Sequence, residues 1–130
     1  EIDGNQSAAV MLVSYTQTFD DKTYNPLPRD VVVRGNRMGK NGHDPKFAGA
    51  EILAKAVGGT IPPVLWDGVT AHPQNSDAVR VRIEDGPVLN LRLKGPGQLM
   101  SADPTVTPTA GEAAIAEPKA VVLPAEQAGL

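Results

Sequence analysis

Val79–Leu93 reads VRVRIEDGPVLNLRL. Val79, Val81 and Ile83 alternate with Arg80, Arg82 and Glu84; Val88, Leu89, Leu91 and Leu93 follow, with Asn90 and Arg92 turned the other way. Alternation with period two puts one set of side chains on one face of a strand. Asp85-Gly86 between two such runs is a two-residue turn signal. The stretch therefore predicts an antiparallel β-hairpin over about 78–93. One face would be aliphatic, and the other would carry Arg80, Arg82 and Arg92.

Upstream, Ile61–Trp66 (IPPVLW) predicts an extended segment. Pro62 and Pro63 lack backbone donors, which confines it to a sheet edge. Before it, Asp44-Pro45 has the pattern of a helix start, with Asp as N-cap and Pro in the first turn. Phe47, Ala50, Leu53, Ala54 and Val57 recur at helical spacing, and Gly58-Gly59 ends the run. A helix over about 45–57 is expected. Asp30–Arg34 (DVVVR) and Ser7–Tyr15 (SAAVMLVSY) read as further strands, while the prolines between them, Pro26 and Pro28, mark a loop.

These elements predict an α+β fold, mainly antiparallel β: a small sheet or barrel-like domain with one helix and a hairpin. Residues 1–100 hold all the aromatics, namely Tyr15, Phe19, Tyr24, Phe47 and Trp66. With so few rings, the core must be aliphatic, with Trp66 as an anchor. Residues 101–130 carry four prolines, many alanines and no aromatic residue. They read as an extended C-terminal arm that cannot build a core alone. Order in such a segment requires its own domain or a neighbouring molecule to lie on. Val106, Ile115, Val121, Val122 and Leu123 are the apolar pegs for such docking.

The 130 residues have a net charge of -3 and no cysteine. Disulfides, thiolate metal sites and cysteine nucleophiles are thereby excluded. The longest apolar run, Ala8–Val13, is far short of the ~20 residues of a membrane span. The charges are uneven: residues 1–28 and 101–130 each sum to -3, and residues 29–46 to +3. A basic centre between acidic ends suits contacts between copies. Arg34, Arg37 and Lys40 in that centre are the expected contacts to an acidic partner surface. No aromatic residue is interleaved with them to stack nucleic-acid bases.

Other chemistry lacks its pattern. Gly35 to Lys40 and Asn41 departs from a phosphate-binding loop, which needs GxxxxGK followed by Ser or Thr. His43 and His72 do not sit at ligand spacing with Asp44 or Asp67. Ser7, Ser14, Ser76 and Ser101 have no GxSxG context. No catalytic residue, cofactor or metal is assigned. The sequence therefore points to a non-enzymatic structural or assembly protein, a subunit of a symmetric complex such as a virion capsid-decorating protein. Its expected partners are protein subunits, copies of itself or a larger assembly. An accessory subunit or ligand-binding module of a larger complex is the alternative, and a small hydrolase using His43 or His72 the minor one.

Overall fold

The computed structural model describes residues 1–15, 20–21, 23–70 and 81–95, together with the backbone of 105–107. In chain order the elements are β1 (Val10–Leu12), β2 (Val31–Val33), α1 (Ala50–Ala56), β3 (Val64–Trp66), β4 (Val81–Ile83), β5 (Val88–Asn90) and β6 (Thr105–Thr107). They form a four-stranded sheet, ordered β1-β3-β5-β6, and a two-stranded sheet, β2-β4. The first three strands of the larger sheet are mutually parallel, as are β2 and β4; β6 alone runs antiparallel, on β5.

Successive strands alternate between the sheets. The chain lays β1 on the larger sheet and β2 on the smaller, then β3 and β4 in the same way, and returns to the larger with β5. This is a winding chain in which each turn stacks on the last. Val10, Val64 and Val88 are in register across the larger sheet, and Val31 and Val81 across the smaller. A third line of contact runs between residues 2–6 and 37–44. Ile2 N–H donates to the Arg37 carbonyl at 3.0 Å, Gly4 N–H to Lys40 at 2.9 Å and Gly42 N–H to Asn5 at 2.9 Å.

The expected antiparallel, barrel-like fold and its hairpin are therefore overturned. Two small sheets replace a barrel, and β4 and β5, the intended hairpin partners, lie in different sheets. The physical reason is in the sequence. Closing a two-residue turn at Asp85-Gly86 requires residue 87 to donate its N–H back to Glu84, and residue 87 is proline. Glu84 N–H instead donates to the Val33 carbonyl at 2.8 Å, extending the parallel β2-β4 ladder. Residues 78–80 of the predicted hairpin lie outside the described residues.

The edge position expected for IPPVLW is corrected too, since β3 lies between β1 and β5. The strand begins only after the prolines, so they take no donor from its ladder. The Pro63 carbonyl even accepts from Ala9 and Val10 N–H, at 2.8 and 3.0 Å.

The helix is shorter than its pattern suggests. Asp44 does not cap it. Its N–H is committed to the Gln6 carbonyl at 2.9 Å, and its carboxylate pairs with Lys46 at 2.8 Å. The first-cap position falls on Gly49, at φ 81°. The end follows the sequence signal. Gly58 N–H bonds to the Lys55 carbonyl and Gly59 N–H to that of Ala54, the paired bonds of a Schellman termination.

The core is aliphatic around one tryptophan, as composition required. Ile61, Val64, Leu65, Trp66, Val69, Val81, Ile83, Val88 and Leu89 are all fully buried. Each such side chain contributes about 1.5–3 kcal/mol over exposure. Phe47, Leu53 and Val57 pack against this cluster from the helical segment.

Candidate functional site

Burial falls off sharply at the first turn. In the register Met11–Leu65–Leu89, the two inner residues are 1% and 0% exposed, while Met11 is 41% exposed. Val10 is half-buried beside fully buried Val64 and Val88. Val32 and Val13 are likewise exposed large aliphatics. The sequence wrote the same apolar strand chemistry into each of these strands, yet β1 is paired on one side only among the described strands.

The backbone shows the same asymmetry. In a parallel ladder, alternate residues direct both their polar groups to one neighbour. Val10 N–H donates to Pro63 and the Leu12 carbonyl accepts from Asp67, both at 3.0 Å. Met11 and Val13 consequently turn their N–H and C=O away from β3. Among the described strands, none pairs with this outer side of β1. The strand at the other end of the larger sheet is β6, which pairs antiparallel with β5.

Two side chains lock the first turn to the second. Asp67, 3% exposed, accepts Ser14 N–H on Oδ2 at 2.5 Å and Val69 N–H on Oδ1 at 3.0 Å. Its own backbone links all three stacked strands, donating to Leu12 and accepting from Leu93 at 2.9 Å. Buried Asn41 accepts from Asn5 N–H at 3.1 Å and from the Asn5 side-chain amide at 2.9 Å. Its own amide donates to the Ile2 and Gly39 carbonyls, at 3.0 and 3.1 Å. The sequence presents Asp67 only as a candidate metal ligand, and Asn41 only where a phosphate-binding loop needs Ser or Thr. An Asp-Gly turn does signal the local bond to Val69. The bond to Ser14, 53 positions away, has no local signal.

The basic segment lies along the N-terminal residues. Arg37 pairs with Glu1, and Lys40 N–H donates to the Asp3 carboxylate at 2.5 Å. The acidic-to-basic match that the charge blocks suggest is thus made within one chain by Arg37 and Glu1, while Lys40 meets Asp3 through its backbone amide. Arg34, Arg37 and Lys40 are all exposed. The amides that a phosphate would need are engaged: Gly39 N–H goes to Ile2, and Gly42 N–H to Asn5. His43 is exposed, and His72 lies outside the described residues. So do Ile115, Val121, Val122, Leu123 and the side chain of Val106; the Val106 backbone lies in β6, opposite Leu89.

Trp66 is buried, as a core anchor would be. Its indole nitrogen, the Ser14 hydroxyl and the Asn25 amide nitrogen are buried without a hydrogen-bond partner among the described residues. Tyr15 and Tyr24 meet edge to face at 6.4 Å, both half-exposed, just beyond β1. Among the described residues, no group of three His, Asp or Glu is placed to hold a metal ion, and no helix is long and apolar enough to cross a membrane.

Two ionisable groups are displaced from their ordinary values. The Thr23 hydroxyl and then its backbone N–H hold Asp21 below the usual carboxylate range. The hydrogen bond to Asp44, and then that carboxylate's charge, raise Lys46. Both side chains are at the surface. No protein-family model matches the chain, and no curated protein or solved structure matches it either.

Proposed function

We propose that the chain is a non-enzymatic structural protein that assembles with copies of itself into a symmetric complex. One observation carries this. The first turn presents strand residues of core chemistry at a surface, whereas their counterparts in register are buried: Met11 is 41% exposed above Leu65 at 1%. Covering such a stripe removes apolar surface from water, the main favourable term in association. The narrower capsid-decorating role rests on composition alone.

The test is the solution mass, by light scattering, of the full chain and of a chain cut after Thr107. That cut keeps β6 on the sheet, which a cut after Met100 would not. A mass of at least twice 13.6 kDa for the full chain is expected. Retention of that mass after the cut assigns assembly to the wound domain, and its loss assigns assembly to the arm. Monomers in both samples at high micromolar concentration overturn self-assembly.

A further inference from the structure

We infer that Asn41-Gly42 is a latent modification site. Contacts with residues 2–6 hold it closed; once they part, Asn41 loses its amide as ammonia, and the contacts are weakened for good.

The chemistry lies in the dipeptide. The backbone nitrogen that follows an asparagine can attack the side-chain amide carbon. A new C–N bond then closes a succinimide ring, the Cγ–Nδ2 bond breaks, and ammonia leaves with the proton of the attacking nitrogen. Water opens the ring to aspartate or isoaspartate, and no oxidant or reductant is needed. A side chain on the following residue hinders the attack, and glycine has none. Of the six asparagines in the chain, only Asn41 precedes a glycine.

Both reacting groups are held in the fold. Asn41 is 6% exposed. Its oxygen accepts from the Asn5 backbone N–H and side-chain amide, and its nitrogen donates to the Ile2 and Gly39 carbonyls. The Gly42 N–H, which must be lost for the attack, donates to the Asn5 carbonyl at 2.9 Å, and the Gly42 carbonyl accepts from Ile61 N–H at 3.0 Å. Turning the Asn41 amide toward the Gly42 nitrogen therefore breaks bonds to Ile2 and Asn5. Those residues lie in a surface segment: Ile2 is half-buried, and residues 3–6 are exposed. Backbone of that kind opens locally before a core does.

The reaction runs one way. In an aspartate at this position one oxygen keeps the Asn5 donors, while the other meets the Ile2 and Gly39 carbonyls, acceptor against acceptor. A buried charge left so is costly. Isoaspartate also lengthens the backbone by one carbon and disturbs the pairing of residues 2–6 with 37–44.

The test is peptide mass spectrometry of the full-length chain aged at mildly alkaline pH, native and in concentrated urea. Replacement of the Asn41 amide is expected to be slower in the native chain by about tenfold or more, the retardation that ~1.4 kcal/mol of local opening gives. Asn5→Ala removes one of the holding bonds and should speed the native reaction about three- to tenfold, leaving the rate in urea unchanged. Unchanged fluorescence from buried Trp66 checks that this variant folds. In the wild-type chain, with no substitution, urea below the unfolding midpoint should raise the reaction rate and Gly42 amide exchange together. Asn41→Asp should speed amide exchange at residues 2–6 and leave Trp66 fluorescence as it is. No reaction in urea overturns the site, and a native rate equal to that in urea overturns its protection. A folded Asn5→Ala chain that reacts at the wild-type rate, or a wild-type rate that ignores Gly42 exchange, overturns the hold by residues 2–6. Wild-type exchange at residues 2–6 in Asn41→Asp overturns the lasting weakening.

Discussion

Replacing Asp67 with alanine should be among the most damaging single changes to the wound domain. The carboxylate is 3% exposed, and each oxygen holds a different backbone N–H: Ser14 in the first turn at 2.5 Å and Val69 in its own turn at 3.0 Å. Hydrogen bonds to a charged group contribute about 1.5–3 kcal/mol each, and an orphaned buried donor costs about 1–3 kcal/mol. Alanine orphans both donors, so a loss of roughly 3–5 kcal/mol is expected, a large share of the ~5–15 kcal/mol of an ordinary domain. Asp67→Asn keeps one acceptor oxygen but turns an amide NH2 toward the other donor. Its loss should fall near half of that, about 2 kcal/mol. Urea unfolding followed by Trp66 fluorescence measures both, with Asp21→Ala as a surface control expected to leave the midpoint close to that of wild type. Hydrogen exchange at Ser14 should accelerate in Asp67→Ala before exchange in the core does. A loss below about 1 kcal/mol would refute the claim that this carboxylate joins the turns.

Gly42→Ala should cost about 2 kcal/mol or more, because φ is 75° there and a Cβ would meet the Ile61 carbonyl; the urea midpoint reads it. Asn41→Ala should cost about 2–3 kcal/mol through its bonds to Asn5, Ile2 and Gly39, and should release residues 2–6 first, seen as faster amide exchange there. Stability should also bend weakly at both ends of the pH scale. Lys46 titrates above its ordinary value, so its pairing with Asp44 supports the fold below pH 10.5 and is lost as pH rises through the raised value. Lys46→Met should remove that alkaline component from the urea midpoint. Asp21 titrates below its ordinary 3.8, so its bonds to Thr23 help above that pH and are lost as pH falls through the lowered value. Asp21→Asn should flatten the acid limb.

The winding links fold to function through a simple asymmetry. Among the described strands of the larger sheet, β3 and β5 are paired on both sides, and β1 and β6 on one side. β6 adds an antiparallel strand to β5. The larger sheet begins at β1, where Met11 is exposed. An Asn5 side chain that already bonds inward to Asn41 sits at the same end.

Much of the local structure was legible in the sequence. Val31–Val33 falls inside the predicted Asp30–Arg34 strand, β1 inside Ser7–Tyr15, and Gly58-Gly59 terminates the helix as its residue types required. The aliphatic core around Trp66 followed from the scarcity of aromatics. These are properties of short segments, set by side-chain period, φ preference and burial. Strand partners are not. Period-two alternation says which side chains share a face, but is silent on whether the neighbour is 5 residues away or 24, and on its direction. The hairpin inference fails on one group, the N–H that Pro87 lacks, and on competition: the Val33 carbonyl takes the Glu84 N–H that a hairpin would direct to the carbonyl of residue 87. The joining roles of Asp67 and Asn41 depend on residues 53 and 36 positions distant, Ser14 and Asn5. Only the stacked turns bring those groups within hydrogen-bonding range, and only the stacking leaves Met11 exposed while Leu65 and Leu89, in register with it, are buried.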